Sequence, residues 1–124
     1  KDYLNILQKI FNTYIRKRDE GKPCVSCDKF LKPNDVNASH FFSVGSYPNL
    51  RFNEFNVHSS CIECNMHKGG NLIEYDLRLP NRIGIENYNK LKEDRNKPLN
   101  LTIAEVKELI KVYRDKVKQL KKEL

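Results

Sequence analysis

Cys61-Ile62-Glu63-Cys64-Asn65 is the stretch that decides the fold, because its two thiols have a second pair to meet in Cys24-Val25-Ser26-Cys27. Two residues between cysteines let both sulfurs of a knuckle turn toward one point about 2.3 Å away, so two knuckles complete a tetrahedron around a zinc ion. Close C-x-x-C pairs that lie far apart in sequence are the layout of a thiolate metal site rather than of a disulfide framework. That layout favours a reducing compartment.

Working outward, the interval between the knuckles reads as a short hairpin. After the Pro33-Asn34-Asp35 turn, residues 36–44 set apolar and aromatic side chains around Ser39 and His40, as a strand would. Residues 45–49 read as a loop, and residues 51–58 return the chain toward the second knuckle. Beyond Cys64, residues 65–79 are helical in character. Gly69 and Gly70 divide them into one broken helix or two short ones, and Pro80 should stop them.

The flanks are helical. In residues 1–19, Tyr3, Leu4, Ile6, Leu7, Ile10, Phe11, Tyr14 and Ile15 recur at three- and four-residue spacing, which predicts an amphipathic helix packed on the zinc core. Gly21 and Pro23 end it. Arg16, Lys17 and Arg18 complement its dipole, either as a solvated cluster or as a phosphate contact. A short helix is expected at 85–93, then a polar stretch at 94–100 containing Pro98. Thr102 and Glu105 form a capping box that opens a final helix. Ile103, Val106, Leu109, Ile110, Tyr113, Val117 and Leu120 repeat on one of its faces, and it closes on Lys116, Lys118, Lys121 and Lys122.

These elements give an α+β fold in a single domain of 124 residues: an N-terminal helix (1–20), a zinc-stapled core (21–80) and a C-terminal helical arm (81–124). Lys and Arg total 23 against 16 Asp and Glu, a formal net charge of +7, which fits a partner that carries phosphates. No apolar run approaches the about 18 residues of a membrane span, and no signal-peptide pattern is present, so nothing argues for a membrane protein. The chain opens at Lys1 rather than Met, and a preceding segment is expected.

A plain zinc module needs nothing particular between its knuckles. Here His40, then Asn56, then Cys61-x-x-Cys64-Asn65-x-x-Lys68-Gly69 follow one another in an order that resembles the His-Asn-His nucleases. Phosphodiester cleavage needs an activated water, a cation against the charge that builds on phosphorus, and groups that align both. His40 can deprotonate water because an imidazole titrates near neutrality. Asn65, fixed by its neighbour Cys64, can offer an oxygen to a hard ion such as Mg²⁺ or Mn²⁺. Asn56 would hold the His40 segment by hydrogen bonds, and Lys68 would meet the scissile phosphate or a neighbouring one. His58 and His67 are alternative zinc ligands, phosphate contacts or ordinary polar residues, but four cysteines leave no vacancy for either on zinc.

The runs Ala38-Ser39-His40-Phe41, Leu50-Arg51-Phe52-Asn53-Glu54-Phe55-Asn56-Val57-His58, Cys61-Ile62-Glu63-Cys64-Asn65 and Gly70-Asn71-Leu72-Ile73-Glu74-Tyr75 resemble the NinG (Rap) recombination proteins of lambdoid phages. Tyr14-Ile15-Arg16 and Arg82-Ile83-Gly84 extend the resemblance over most of the chain. It implies a ββα-metal nuclease core and a structure-specific DNA endonuclease that cuts branched recombination intermediates, including Holliday junctions and displacement loops, with a divalent ion. It also implies a phage or prophage protein at work in the cytoplasm of a bacterial cell. The zinc layout is similar to that of the phage resolvase called endonuclease seven, in which the Asn after the last zinc Cys binds the catalytic ion.

One position departs from the pattern. Many His-Asn-His nucleases carry a metal-binding Asp before the base, where this chain has Ser39. Glu74 is the preferred substitute ligand, with Glu54 and Asp35 behind it. Symmetric cutting of a junction predicts a homodimer, for which the apolar stripe of the final helix is either the interface or intramolecular core. The rival readings are a zinc-dependent DNA-binding module without cleavage and a protein-interaction adaptor built on the zinc scaffold.

Overall fold

Asp2 caps the first helix: its carboxylate accepts the Asn5 N–H at 3.2 Å, and α1 (Tyr3–Arg18) runs from there in the computed structural model, which describes residues 1–123. Leu7, Phe11 and Ile15, four residues apart, are its fully buried face. Two strands follow, β1 (Asn37–His40) and β2 (Val57–Ser60), paired antiparallel with Ser39 opposite His58 and His40 opposite Val57. A 3₁₀ turn, Pro48–Leu50, sits in their connection. A single π turn, Glu63–His67, carries Cys64 of the second knuckle, and three helices complete the chain: α2 (Leu72–Ile83), α3 (Ile85–Asp94) and α4 (Ile103–Glu123). The fold is α+β with a two-stranded sheet, as expected.

The hairpin is shorter and later than the sequence suggests. β1 stops at His40 because both the N–H and the C=O of Phe42, which would extend the ladder, bond the Asn56 side chain instead. Residues 51–56 are turns rather than strand: Asn53 N–H bonds the Leu50 carbonyl and Asn56 N–H bonds that of Asn53. After the π turn, Gly69, Gly70 and Asn71 take φ values of +57°, +93° and +50°, a left-handed run that breaks the helix where two glycines relieve the strain.

Pro80 does not stop α2, which continues to Ile83 and so crosses the boundary expected at residue 80. A proline in a helix removes one hydrogen bond and crowds the carbonyl four residues back. Here it falls in the last turn, and Leu79 and Ile83 on either side pack into a core with Val25, Leu50, Tyr75, Tyr88 and Leu91 that repays the lost bond.

The face of α1 does not pack on the zinc core. It meets α4: Leu7, Phe11 and Ile15 form one cluster with Val57, Val106, Ile110 and Tyr113, while the cysteines form another beside Leu31. The C-terminal helix therefore folds back as half of a helical hairpin rather than projecting as an arm, and its buried stripe is intramolecular core. The capping box that starts it is present in both directions, Glu105 N–H to Thr102 Oγ1 and Thr102 N–H to Glu105 Oε1, each at 3.1 Å. Among the described residues, no helix is long and apolar enough to cross a membrane.

Candidate active site and metal centre

The Sγ atoms of Cys24, Cys27, Cys61 and Cys64 all lie within 4.8 Å of one another, and none is in a disulfide. Cys27 and Cys61 are 3.8 Å apart at sulfur. A tetrahedron with arms of about 2.3 Å has edges of about 3.8 Å, so the cage fits zinc. Backbone N–H groups point at the sulfurs, as thiolates require: Cys24 Sγ accepts from Ser26 at 3.4 Å and Cys61 at 3.3 Å, and Cys61 Sγ accepts from Cys64 at 3.4 Å. Burial pushes the Cys64 thiol up to about 12, so a cation among the sulfurs is what would keep it ionised. Four cysteines are thus positioned to hold one metal ion, and no other group of three or more His, Cys, Asp or Glu ligand atoms converges among the described residues.

His40 ends β1. Its Nε2 lies 2.9 Å from the Arg51 carbonyl. A carbonyl only accepts, so Nε2 carries the hydrogen and Nδ1 keeps its lone pair. Burial lowers the His40 pKa below the ordinary imidazole value, against the Arg51 carbonyl, which favours the charged ring. The ring is neutral at physiological pH and fixed in one tautomer.

Asn56 is fully buried and ties the loop that presents that carbonyl. Its Oδ1 accepts the Phe42 N–H at 2.8 Å, and its Nδ2 donates to the carbonyls of Phe42 at 3.0 Å and Leu50 at 3.1 Å. The strand end and the residue before Arg51 are thereby joined through one side chain. Asn65 is half-buried on the π turn, its N–H bonded to the Cys61 carbonyl at 3.1 Å, and Lys68 stands exposed beyond the turn.

The carboxylates named from sequence are all engaged. Glu74 Oε2 is 3.2 Å from Arg78 Nη1, and Arg78 also binds Asp28. Glu54 accepts from Tyr14, Tyr113 and Lys116. Asp35 accepts the Ile62 N–H at 3.0 Å and pairs with Lys29. Glu74 is tied to Arg78 through one carboxylate oxygen, and the other two carboxylates fasten α1 to α4 and one knuckle to the other. His67 is exposed.

The remaining polar groups of the sheet were not legible in advance. Ser39 is 1 % exposed with its hydroxyl unpartnered, directly opposite His58. The Tyr75 hydroxyl bridges them, donating to the Ser39 carbonyl at 2.8 Å and lying 3.2 Å from His58 Nδ1. Burial, reinforced by the Arg18 charge, drives the His58 pKa down to about 3. Asp19 is buried beside it. Burial raises that carboxyl, but the Arg18 fork at 2.8 and 3.1 Å and the Ser59 N–H at 2.8 Å outweigh it and hold it below the ordinary range. Arg18 also caps the carbonyls of Glu54 and Val57, so it is neither solvated nor a free phosphate contact.

A family model described as Bacteriophage Lambda NinG protein matches residues 1–123. The chain belongs to this family. Protein ninG of Escherichia phage lambda is 39 % identical over 114 residues, covering 92 % of this chain and 55 % of the relative. Protein ninG of Salmonella phage P22 is 38 % identical over the same length and shares, and that of Escherichia phage 933W is 37 % identical, covering 56 % of the relative. The chain spans about half the length of the curated relatives it matches. No solved structure matches it. Of this NinG-family site, the order of Cys, His and Asn was readable in sequence. Tyr75 lay inside one of the resembling runs, but nothing marked it as the hydroxyl that locks His58.

Proposed function

We propose that this NinG-family chain is a structure-specific DNA endonuclease that hydrolyses phosphodiester bonds in branched recombination intermediates, such as Holliday junctions and displacement loops, with a divalent metal ion. The observation that carries the reading is His40: a neutral imidazole whose Nε2–H is committed to the Arg51 carbonyl at 2.9 Å, leaving Nδ1 to take a proton from water. The β1–β2 hairpin, clamped at both ends by cysteine knuckles and followed by α2, is the arrangement that a ββα-metal core needs.

Each residue then has a task. Zinc on the four cysteines frames the segment and takes no part in the reaction. Mg²⁺ or Mn²⁺, held through Asn65, water and substrate phosphate, would offset charge on the phosphorane. Asn56 acts through His40, keeping its loop in register. Lys68 meets a phosphate oxygen. The Ser39 hydroxyl is a poorer ligand than a carboxylate, and Glu74, held to Arg78 through Oε2, would offer its other oxygen to the ion. The +7 net charge supplies attraction for DNA. Two symmetric cuts in a junction call for two copies of the chain, joined through a surface other than the buried stripe of α4. Such an enzyme works in the cytoplasm of the bacterial cell that carries the phage or prophage.

The test is a nicking assay on synthetic junctions with Mg²⁺ or Mn²⁺, comparing the wild type with His40→Ala at matched zinc content. Cutting lost in the variant, with binding retained, supports the mechanism. Binding without cutting by the wild type returns the chain to a non-catalytic DNA-binding module, and metal-dependent cutting that survives the substitution removes His40 as the base.

A further inference from the structure

A cavity of about 400 Å³ opens between the last turn of α1 and the loop of residues 30–33 that leaves the first knuckle. Arg16 and Lys17 line it from the helix, and Phe30 and Lys32 from the loop. Its carboxylates are already matched: Glu20 by Lys17 at 3.1 Å, Asp19 by the Arg18 fork. Two cations are left over. Arg16 is half-buried and bonds a neutral partner, the Thr13 hydroxyl, at 3.3 Å. Its Nε and Nη1 make no bond and are not shut off from solvent, so its charge can meet a ligand. Lys32 is exposed, and Asp35 beside it is already held by Lys29 at 3.0 Å. Among the described residues, neither Arg16 nor Lys32 forms an ion pair with a carboxylate.

The ring beside them says which anion. Phe30 is 75 % exposed, and its neighbours on both sides are anchored: the Lys29 carbonyl accepts the Cys24 N–H at 2.8 Å, and Leu31 packs on the cysteines. A fixed loop thus displays an aromatic face open to stacking, with a cation on either side. A flat base carrying a phosphate matches that arrangement. The volume lies near the lower end of the about 300–1,000 Å³ range of sites that enclose a small molecule, room for one nucleotide and not for a double helix. Val36 lines the cavity just before β1, and His40 ends that strand, so the two sites lie at opposite ends of it.

We propose that this cavity holds one nucleotide of a single-stranded DNA segment, its base on Phe30 and its phosphate between Arg16 and Lys32. The inference rests on the endonuclease reading and deepens it: a single-stranded arm is held at the start of β1 while the junction lies toward His40 at its end. A continuous duplex offers the ring no unstacked base.

The test measures binding by fluorescence anisotropy with no Mg²⁺ or Mn²⁺ added, so that cutting plays no part while zinc stays bound. A duplex with a single-stranded arm is compared with the same duplex blunt-ended, and Phe30→Ala, Arg16→Gln and Lys32→Gln with the wild type. Phe30 and Lys32 are exposed, so their variants lose no core contact. Removing the stacking ring should weaken binding to the armed duplex about tenfold. Binding to the blunt duplex should change less than about twofold, because its bases stay stacked on one another. Arg16→Gln and Lys32→Gln should each reduce the salt slope on the armed duplex by about 0.7. Equal losses on both duplexes, or no loss on either, overturn the proposal while leaving the endonuclease reading to its own nicking assay. Binding of free deoxyadenosine monophosphate that requires Phe30, with armed-duplex binding untouched by the variants, also overturns it. If the wild type binds neither duplex, both readings fall together.

Discussion

Replacing Asn56 with Ala should destabilise the protein by about 2–6 kcal/mol. The side chain makes its bonds at 2.8, 3.0 and 3.1 Å and is fully buried. Truncation leaves the Phe42 N–H and the Phe42 carbonyl without partners, while the Leu50 carbonyl keeps the Asn53 N–H at 3.2 Å. Each such orphan costs about 1–3 kcal/mol, so the two together give about 2–6 kcal/mol. At this chain length, about 4 °C of melting temperature accompanies each kcal/mol, which predicts a fall of about 8–24 °C. Asn56→Asp should do no better: it keeps an acceptor for Phe42 N–H but turns a charged oxygen toward two carbonyls. The assay is thermal unfolding by circular dichroism at pH 7 with bound zinc counted beforehand. A melting temperature within about 3 °C of the wild type, with zinc retained, would refute the claim that one amide ties the loop to the strand.

Stripping zinc with a strong chelator should raise amide exchange across residues 24–35 and 59–71 while α1 and α4 stay protected, because the helical hairpin has its own cluster of buried side chains; uniform exchange throughout would contradict that division. His58 stays neutral in the folded protein down to about 3, whereas an unfolded imidazole takes up a proton near 6.5. The unfolded state therefore binds more protons as pH falls below 6.5, and stability should drop by about 2 kcal/mol between pH 6.5 and 4.5. Urea titrations of His58→Gln should show a shallower loss over that interval; equal slopes refute the assignment. With His40 as base and its pKa lowered by burial, the acid limb of kcat/KM for cleavage should break below pH 6.5, and a break above that value would contradict it.

What could be read in the sequence was what is local or strictly spaced. The cysteines announce their cage because two intervening residues leave thiols little choice of geometry. Thr102 and Glu105 announce α4 because a capping box is complete within four residues. Periodicity found α1 and α4 but not that they face each other, since an apolar stripe does not name its partner. The strand ends were misread because Asn56, fourteen residues from Phe42, takes over the backbone groups that would have continued β1. Pro80 misled for a related reason: burial of Leu79 and Ile83 outweighs one missing helix bond. In the candidate site, His40 and Asn56 were legible from their order. The engagements of Glu54 and Asp35 were not, because each pairs with residues brought by tertiary contact, whereas Glu74 meets Arg78 at the four-residue spacing of α2.

The central claim is that the metal which frames this protein is not the metal which cuts. Anomalous diffraction from crystals of the zinc-loaded protein, grown with branched DNA and Mn²⁺, tests it most directly. The account predicts zinc at Cys24, Cys27, Cys61 and Cys64 and a separate manganese beside Asn65 and a phosphate oxygen, with His40 Nδ1 turned toward water. Manganese found only within the cysteine cage, or a second ion remote from His40 and Asn65, would contradict it.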